Sequence, residues 1–168
     1  MSDAIQLYLI RHGLAADQGE AWPDDAKRPL TGKGLTRLGR EARALEKFGI
    51  SFDQIVTSPL VRARQTAEVF ADGLSSHPAT AHSDALAPGG TPAQVIQELG
   101  KYSRRKHIAL VGHEPNIGEL AARLLGARGA IEFKKGTICC IEVAALPPTR
   151  PGTLLWIATP KMLRLMAK

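Results

Sequence analysis

The sequence predicts an α/β fold: a three-layer sandwich in which a mainly parallel central sheet is flanked by helices. Three observations lead there. Short apolar runs alternate with amphipathic stretches along the whole chain, the pattern of strands joined through crossover helices. The 168 residues suit a single domain spanning 1–168, long enough to bury roughly 70% of the surface its unfolded chain exposes. Hydrophobic residues at 44% and charged residues at 23% are ordinary globular usage, and 16 Gly with 11 Pro imply many turns. Disorder and collagen-like structure are excluded on that composition.

The elements follow in order. Ala4 to Ile10 is a short, mostly apolar run and reads as a strand. Leu35, Leu38, Ala42 and Leu45 then recur at helical spacing, with Arg37, Arg40, Arg43 and Lys47 between them. Phe52 to Thr57 is a second strand. Ser58-Pro59 supplies an N-cap and a first-turn proline for a helix turning Ala63, Thr66, Ala67 and Phe70 inward. His77 and His82 fall in a loop-like stretch. Thr91-Pro92 starts a helix bearing Val95, Ile96 and Leu99, and His107 to Val111 is a third strand. Asn116, with Glu119 three residues on, has the form of a helix cap, and Gly126 can close that helix. Two apolar runs, Thr137 to Ala145 and Thr153 to Thr159, read as paired strands joined through Leu146-Pro147-Pro148, followed by a short basic tail. No internal repeat or linker interrupts this order.

Charge and cysteine usage narrow the chemistry. Lys and Arg number 22 against 16 Asp and Glu, a net charge of +6, which favours anionic partners without choosing among phosphates, nucleic acid and acidic proteins. Cys139 and Cys140 are adjacent in a strand, so their side chains point to opposite faces and stay reduced. No Cys/His cluster has metal-ligand spacing, and no metal is expected. The longest apolar runs, such as Leu154 to Ala158, fall far below the roughly 18 residues of a membrane span. Met1 to Ile10 lacks a basic start followed by a cleavable apolar stretch, so a cytoplasmic protein is expected.

Three strands share a feature that points to function. Each runs directly into polar or cationic groups: Arg11-His12-Gly13, Ser58-Pro59-Leu60-Val61-Arg62 and Gly112-His113-Glu114. The carboxyl edge of an open parallel sheet is where ligands bind. Two histidines and two arginines converging there, beside helix N-termini, suit a phosphoryl group. His77, His82 and His107 are taken as structural or solvent-facing. The sequence contains no G-x-x-x-x-G-K-[ST], G-x-S-x-G or H-E-x-x-H, which disfavours a P-loop, a serine-hydrolase elbow and a zincin helix.

Leu9-Ile10-Arg11-His12-Gly13 resembles the signature of the histidine phosphatase, or phosphoglycerate mutase-like, superfamily. Thr57 to Ala67 resembles its second motif and Val111 to Asn116 its third, in the right order and each after a strand. The short chain, Arg28-Pro29-Leu30-Thr31-x-x-Gly34 and Leu154-Leu155-Trp156-x-x-Thr159-Pro160 look most like the SixA-type phosphohistidine phosphatases, over nearly the whole chain. The resemblance implies His12 as a nucleophile that is transiently phosphorylated, with Arg11, Arg62 and His113 around the phosphoryl oxygens. Gly13, Ser58, Arg28 and Glu114 would contact phosphate or substrate.

Such chemistry needs no metal, because arginines can carry the charge that develops in the transition state. His12 must be neutral to attack, whereas His113 assists best as a cation, so the two would need opposite tuning. Ester-cleaving branches of the superfamily place a glutamate acid after the second motif, but Asp84-Ala85-Leu86-Ala87-Pro88-Gly89-Gly90 holds none. Asp84 is the only substitute there. Leu14 also departs, standing where relatives often carry an acid. The expected activity is therefore removal of phosphate from phosphohistidine on a signalling or phosphotransfer protein, without cofactor, nucleic acid or membrane, releasing inorganic phosphate. A small-molecule phosphoesterase and a non-catalytic phosphoprotein-binding module are the alternatives.

Overall fold

The computed structural model describes residues 4–168; part of the Met1 to Ile10 reading lies outside the described residues. Six strands form one sheet: β1 (Ile5–Arg11), β2 (Gln54–Thr57), β3 (Ala79–His82), β4 (His107–Gly112), β5 (Ile138–Val143) and β6 (Thr153–Ala158), in the order β3-β2-β4-β1-β5-β6. The β3-β2-β4-β1 part is parallel, whereas β5 runs antiparallel to β1 and β6 antiparallel to β5. The sheet is thus mixed, with the paired strands at the chain's end supplying the antiparallel part.

Helices α1 (Gly32–Lys47), α2 (Val61–Gly73) and α5 (Pro160–Met166) cover one face, and α3 (Pro92–Glu98) and α4 (Asn116–Leu125) the other. Alternation along each strand divides the core accordingly. In β1, Leu7 and Leu9 pack with Leu99, Ile117 and Leu120. Tyr8 and Ile10 face the other way, toward Leu38, Phe52, Phe70 and Leu163. Cys139 and Cys140 fall in opposite layers, both free and buried, and burial pushes their thiols up to about 11 and about 12. Strands β1 and β4 are covered on both faces, which is why they read as continuous apolar runs.

Several elements differ from the sequence reading. The stretch read as a loop around His82 contains β3, a four-residue edge strand. Its Ala-Thr-Ala-His sequence is largely exposed, and ladder bonds to β2 hold it rather than apolar burial. The basic tail is α5, started by Thr159 accepting from the Met162 N–H, with Pro160 in the first turn and Leu163 buried. Helix α2 begins at Val61 with no side-chain cap, so Ser58 is not its N-cap. Asn116 is likewise helical rather than the cap of α4, whereas Gly126 closes that helix in the left-handed conformation as expected, at φ 67°. Thr91 and Gln94 form the reciprocal capping box that starts α3. Leu35 is exposed, whereas Glu41 of α1 is buried.

Candidate active site

The sheet register brings the three strand ends together. His12 N–H donates to the Gly112 carbonyl at 3.0 Å and Ser58 N–H to the Val111 carbonyl at 2.9 Å, extending the ladder just past β1 and β2. His12, Ser58 and His113 consequently stand side by side, all buried. The two imidazole centroids are 5.0 Å apart.

The His12 tautomer follows from its partners. Nδ1 lies 2.8 Å from the Gly13 carbonyl, which only accepts, so Nδ1 carries the proton. Nε2 keeps its lone pair and accepts from Arg62 Nε at 3.3 Å. Burial pushes the ring's pKa down to about 3, helped by His113, Arg62 and Arg11 and opposed by the Gly13 bond. His12 is neutral at pH 7, with a nucleophilic nitrogen pointed at a guanidinium.

His113 Nε2 sits 2.7 Å from Ser58 Oγ, and that hydroxyl oxygen accepts from the Leu60 N–H. Its pKa is down to about 4, through burial first and then Arg62, with Asp25 opposing and Arg11 and Arg28 adding to the fall. The opposite tuning expected from the sequence is therefore not what the protein's own groups produce: both rings are buried among arginines, and both are neutral. A phosphoryl dianion placed among these groups acts in the other direction, favouring a cationic His113.

Neither ring should titrate in NMR spectra between about pH 5.5 and 8, and adding tungstate should raise the His113 midpoint. A midpoint near 6.5 for either ring would contradict this electrostatic picture. The linkage sign is also testable. Both folded values lie below the unfolded value of about 6.5, so the unfolded chain binds more protons and stability falls as pH drops from about 6.5 toward 4 and 3.

Arg62, in the first turn of α2, is buried, and three of its five N–H donors are engaged. Its Nη1 donates to the Asp25 backbone carbonyl at 2.7 Å and its Nη2 to Asp25 Oδ2 at 3.0 Å. Asp25 lies in a 3₁₀ turn, Asp25–Lys27, and is also held by Arg28 through Nε at 2.9 Å and Nη2 at 2.7 Å. Burial acts to raise the Asp25 pKa, but hydrogen bonds and charge from Arg28 and Arg62 outweigh it and hold the carboxylate below its usual range. Arg28 Nη1 donates to the Ala16 carbonyl at 2.7 Å. Its guanidinium orients Asp25, and through it Arg62, and its charge is felt at His113. Asp25 was not found from sequence, since an acid beside Asp24 reads as solvated surface and its link to Arg62 exists only in the fold.

Gly13 also acts indirectly. Its N–H donates to Thr66 Oγ1 at 3.1 Å, and Thr66 in turn donates to the Arg62 carbonyl at 2.7 Å. A Cβ on Gly13 would lie 2.6 Å from Leu38 Cδ1, so a larger residue there would push the Leu38 side chain aside. Glu114 accepts from the Gly118 N–H at 2.9 Å and braces α4. The Asn116 amide donates to the Ala87 and Gly90 carbonyls, tying down the loop beside α4. Arg11 reaches the Phe133 carbonyl through Nη1 at 2.7 Å, while its buried Nε has no partner among the described residues. Asp84 is exposed and borders a depression with Gln94, Gln97 and Glu98, whose lining includes neither histidine. The Leu14 carbonyl accepts from the Thr31 N–H at 2.9 Å and lies so close to Gly34 that no Cβ fits, which docks α1 against the His12 loop.

Comparison with known proteins gives a consistent picture. The histidine phosphatase superfamily (branch 1) profile matches residues 7–86. The phosphohistidine phosphatase SixA of Escherichia coli is 28% identical over 98% of this chain and 99% of its own. An uncharacterized protein of Picosynechococcus is 36% identical over 95% of this chain and 99% of its own. The solved structure of SixA with tungstate superposes with a TM-score of 0.83 at 25% identity, covering 94% of this chain and 98% of that one. A phosphoglycerate mutase of Bacillus anthracis superposes at 0.73 with 15% identity, over 99% and 98% of the two chains, a likeness of fold.

Proposed function

The chain belongs to the histidine phosphatase superfamily, and from that premise we propose that it removes phosphate from phosphohistidine on a signalling or phosphotransfer protein. The observation that carries this reading is the pairing of a neutral, buried His12 with an absence of any free acid beside it among the described residues. Nε2 of His12 attacks phosphorus, forming an N–P bond as the substrate's N–P bond breaks and its electron pair returns to the departing imidazole. That imidazole takes its proton from cationic His113 or from water. Arg62, Arg11 and His113 surround the equatorial oxygens, where charge is spread in the transition state. Water then attacks the phosphoryl group on His12, which leaves as inorganic phosphate and regenerates the free ring.

An alkoxide is a poor leaving group and needs a positioned acid, whereas imidazole leaves readily near neutrality. Asp25 is held ionised between two arginines, Glu114 is bonded to the Gly118 N–H, and Asp84 faces outward. We therefore expect kcat/KM for a phosphohistidine peptide to exceed that for the matching phosphoserine peptide at least tenfold, about 1.4 kcal/mol of transition-state stabilisation. Equal or faster phosphoserine turnover would sink the phosphohistidine reading in favour of a phosphoesterase. No turnover of either would favour a binding module. Since the solved SixA complex holds tungstate, tungstate should inhibit competitively here.

A further inference from the structure

Apart from the His12 site, the protein has a cleft of about 210 Å³ bounded by α1, α5 and the turn at Lys134-Lys135-Gly136. Its charged lining is one-sided: Arg37, Lys134, Lys135, Lys161 and Arg164 against the single acid Glu41. Its lining reaches Gly13 and Leu14 of the His12 loop but does not include His12, Arg62 or His113.

Glu41 is the informative residue. It is one helical turn from Arg37 and only 1% exposed, yet Arg164 Nη1 approaches its Oε1 no closer than 4.0 Å and its Oε2 has no hydrogen-bond partner. A buried carboxyl held by one long ion pair, with an oxygen that lacks a hydrogen bond, is costly, and structures seldom retain one without a use. The backbone makes room for it: Gly136 has φ 89°, and a Cβ there would lie 2.8 Å from Glu41 Oε1. Burial pushes the Glu41 pKa up to about 8 against the opposing pull of Arg164 and Arg37. At neutral pH the group is mostly the acid and has one O–H to donate.

A donor on the floor with cations around the rim is complementary to an oxyanion. The volume is below the roughly 300–1,000 Å³ of pockets for drug-sized ligands, which selects a small anion over a nucleotide or a peptide. Gly136 N–H also donates to the Arg11 and His12 carbonyls at 3.1 Å each, so the cleft shares a wall with the catalytic strand end. We propose that this cleft is a second anion site, which takes inorganic phosphate or the phosphate group of a small ester on Arg37, Lys134, Lys135, Lys161 and Arg164, with Glu41 bonding one oxygen from below.

The test is an amide NMR titration of the full chain with inorganic phosphate and, separately, glycerol 3-phosphate, reading Lys161 and Arg164 for the cleft and the His113 ring for the other site. Two distinct midpoints are expected. The lower of the two cleft midpoints identifies free phosphate or the ester as the better ligand. A Lys135→Ala/Lys161→Ala variant should weaken the cleft titration at least about tenfold and leave both the His113 midpoint and kcat/KM unchanged. Because phosphate itself gains charge between pH 7 and 9, wild type and Glu41→Gln are compared at each pH: Glu41→Gln, which keeps a donor but cannot ionise, should bind increasingly better than wild type as pH rises from 7 to 9. One midpoint shared by both readouts, or a double variant with an unmoved cleft titration, overturns the proposal. Equal pH dependence in wild type and Glu41→Gln overturns the role of Glu41.

Discussion

Replacing His12 with alanine should lower turnover by about 10³-fold or more, because it removes the atom that forms the covalent bond in the proposed mechanism. No other group can take over that position. The Nε2 lone pair is fixed by the Nδ1 bond to Gly13 and by Arg62, and the neighbouring His113 has its Nε2 on Ser58. The variant should remain folded, since His12 lies at a strand end outside both apolar clusters. A second readout separates a lost nucleophile from a damaged fold. His12 is a group that the native state keeps unprotonated, so His12→Ala should lose less stability than wild type as pH falls from about 6.5 toward 4. Retained activity would show that phosphoryl transfer does not pass through His12.

Arg62→Ala should reduce kcat/KM by about 10² to 10³-fold, the range seen when one preorganised charge-stabilising donor is removed. Arg62→Lys should recover little, because an ammonium cannot bond His12 through one nitrogen while two others hold Asp25 in a fork. Asp25→Asn should cost less, about tenfold, since it loosens Arg62 without removing the charge. Combined with Arg62→Ala, it should add almost nothing, because Asp25 acts through Arg62. Additive losses in kcat/KM would mean that Asp25 contacts the substrate itself.

The parts of the fold readable in sequence are those whose burial leaves a local pattern. Runs 4–10, 52–57 and 107–111 are apolar because helices cover the sheet on both faces, and α2 shows its buried face as Ala63, Thr66, Ala67 and Phe70. Strand β3 and helix α5 lie at the margins, where little apolar area is buried, and they left only weak signals. The Thr159-Pro160 start of α5 repeats the Thr91-Pro92 start of α3 and was the usable clue. For the site, the polar groups that follow three strands were legible because strand direction alone sends them to one edge. The Asp25–Arg62 link and the Thr66 bridge to Gly13 join residues 37 and 53 apart in sequence. No spacing rule marks such pairs. The neutral state of His113 was equally hidden, since it depends on how deeply the arginines and the ring are buried together.

The most direct test is to quench wild-type protein during turnover of a ³²P-labelled phosphohistidine peptide in base and locate the label by mass spectrometry. The account predicts an acid-labile, base-stable phosphate on His12 that appears in the first turnover and is absent from His12→Ala. Label on His113 or on Ser58, its hydrogen-bond partner, or steady turnover with no labelled protein, would contradict it.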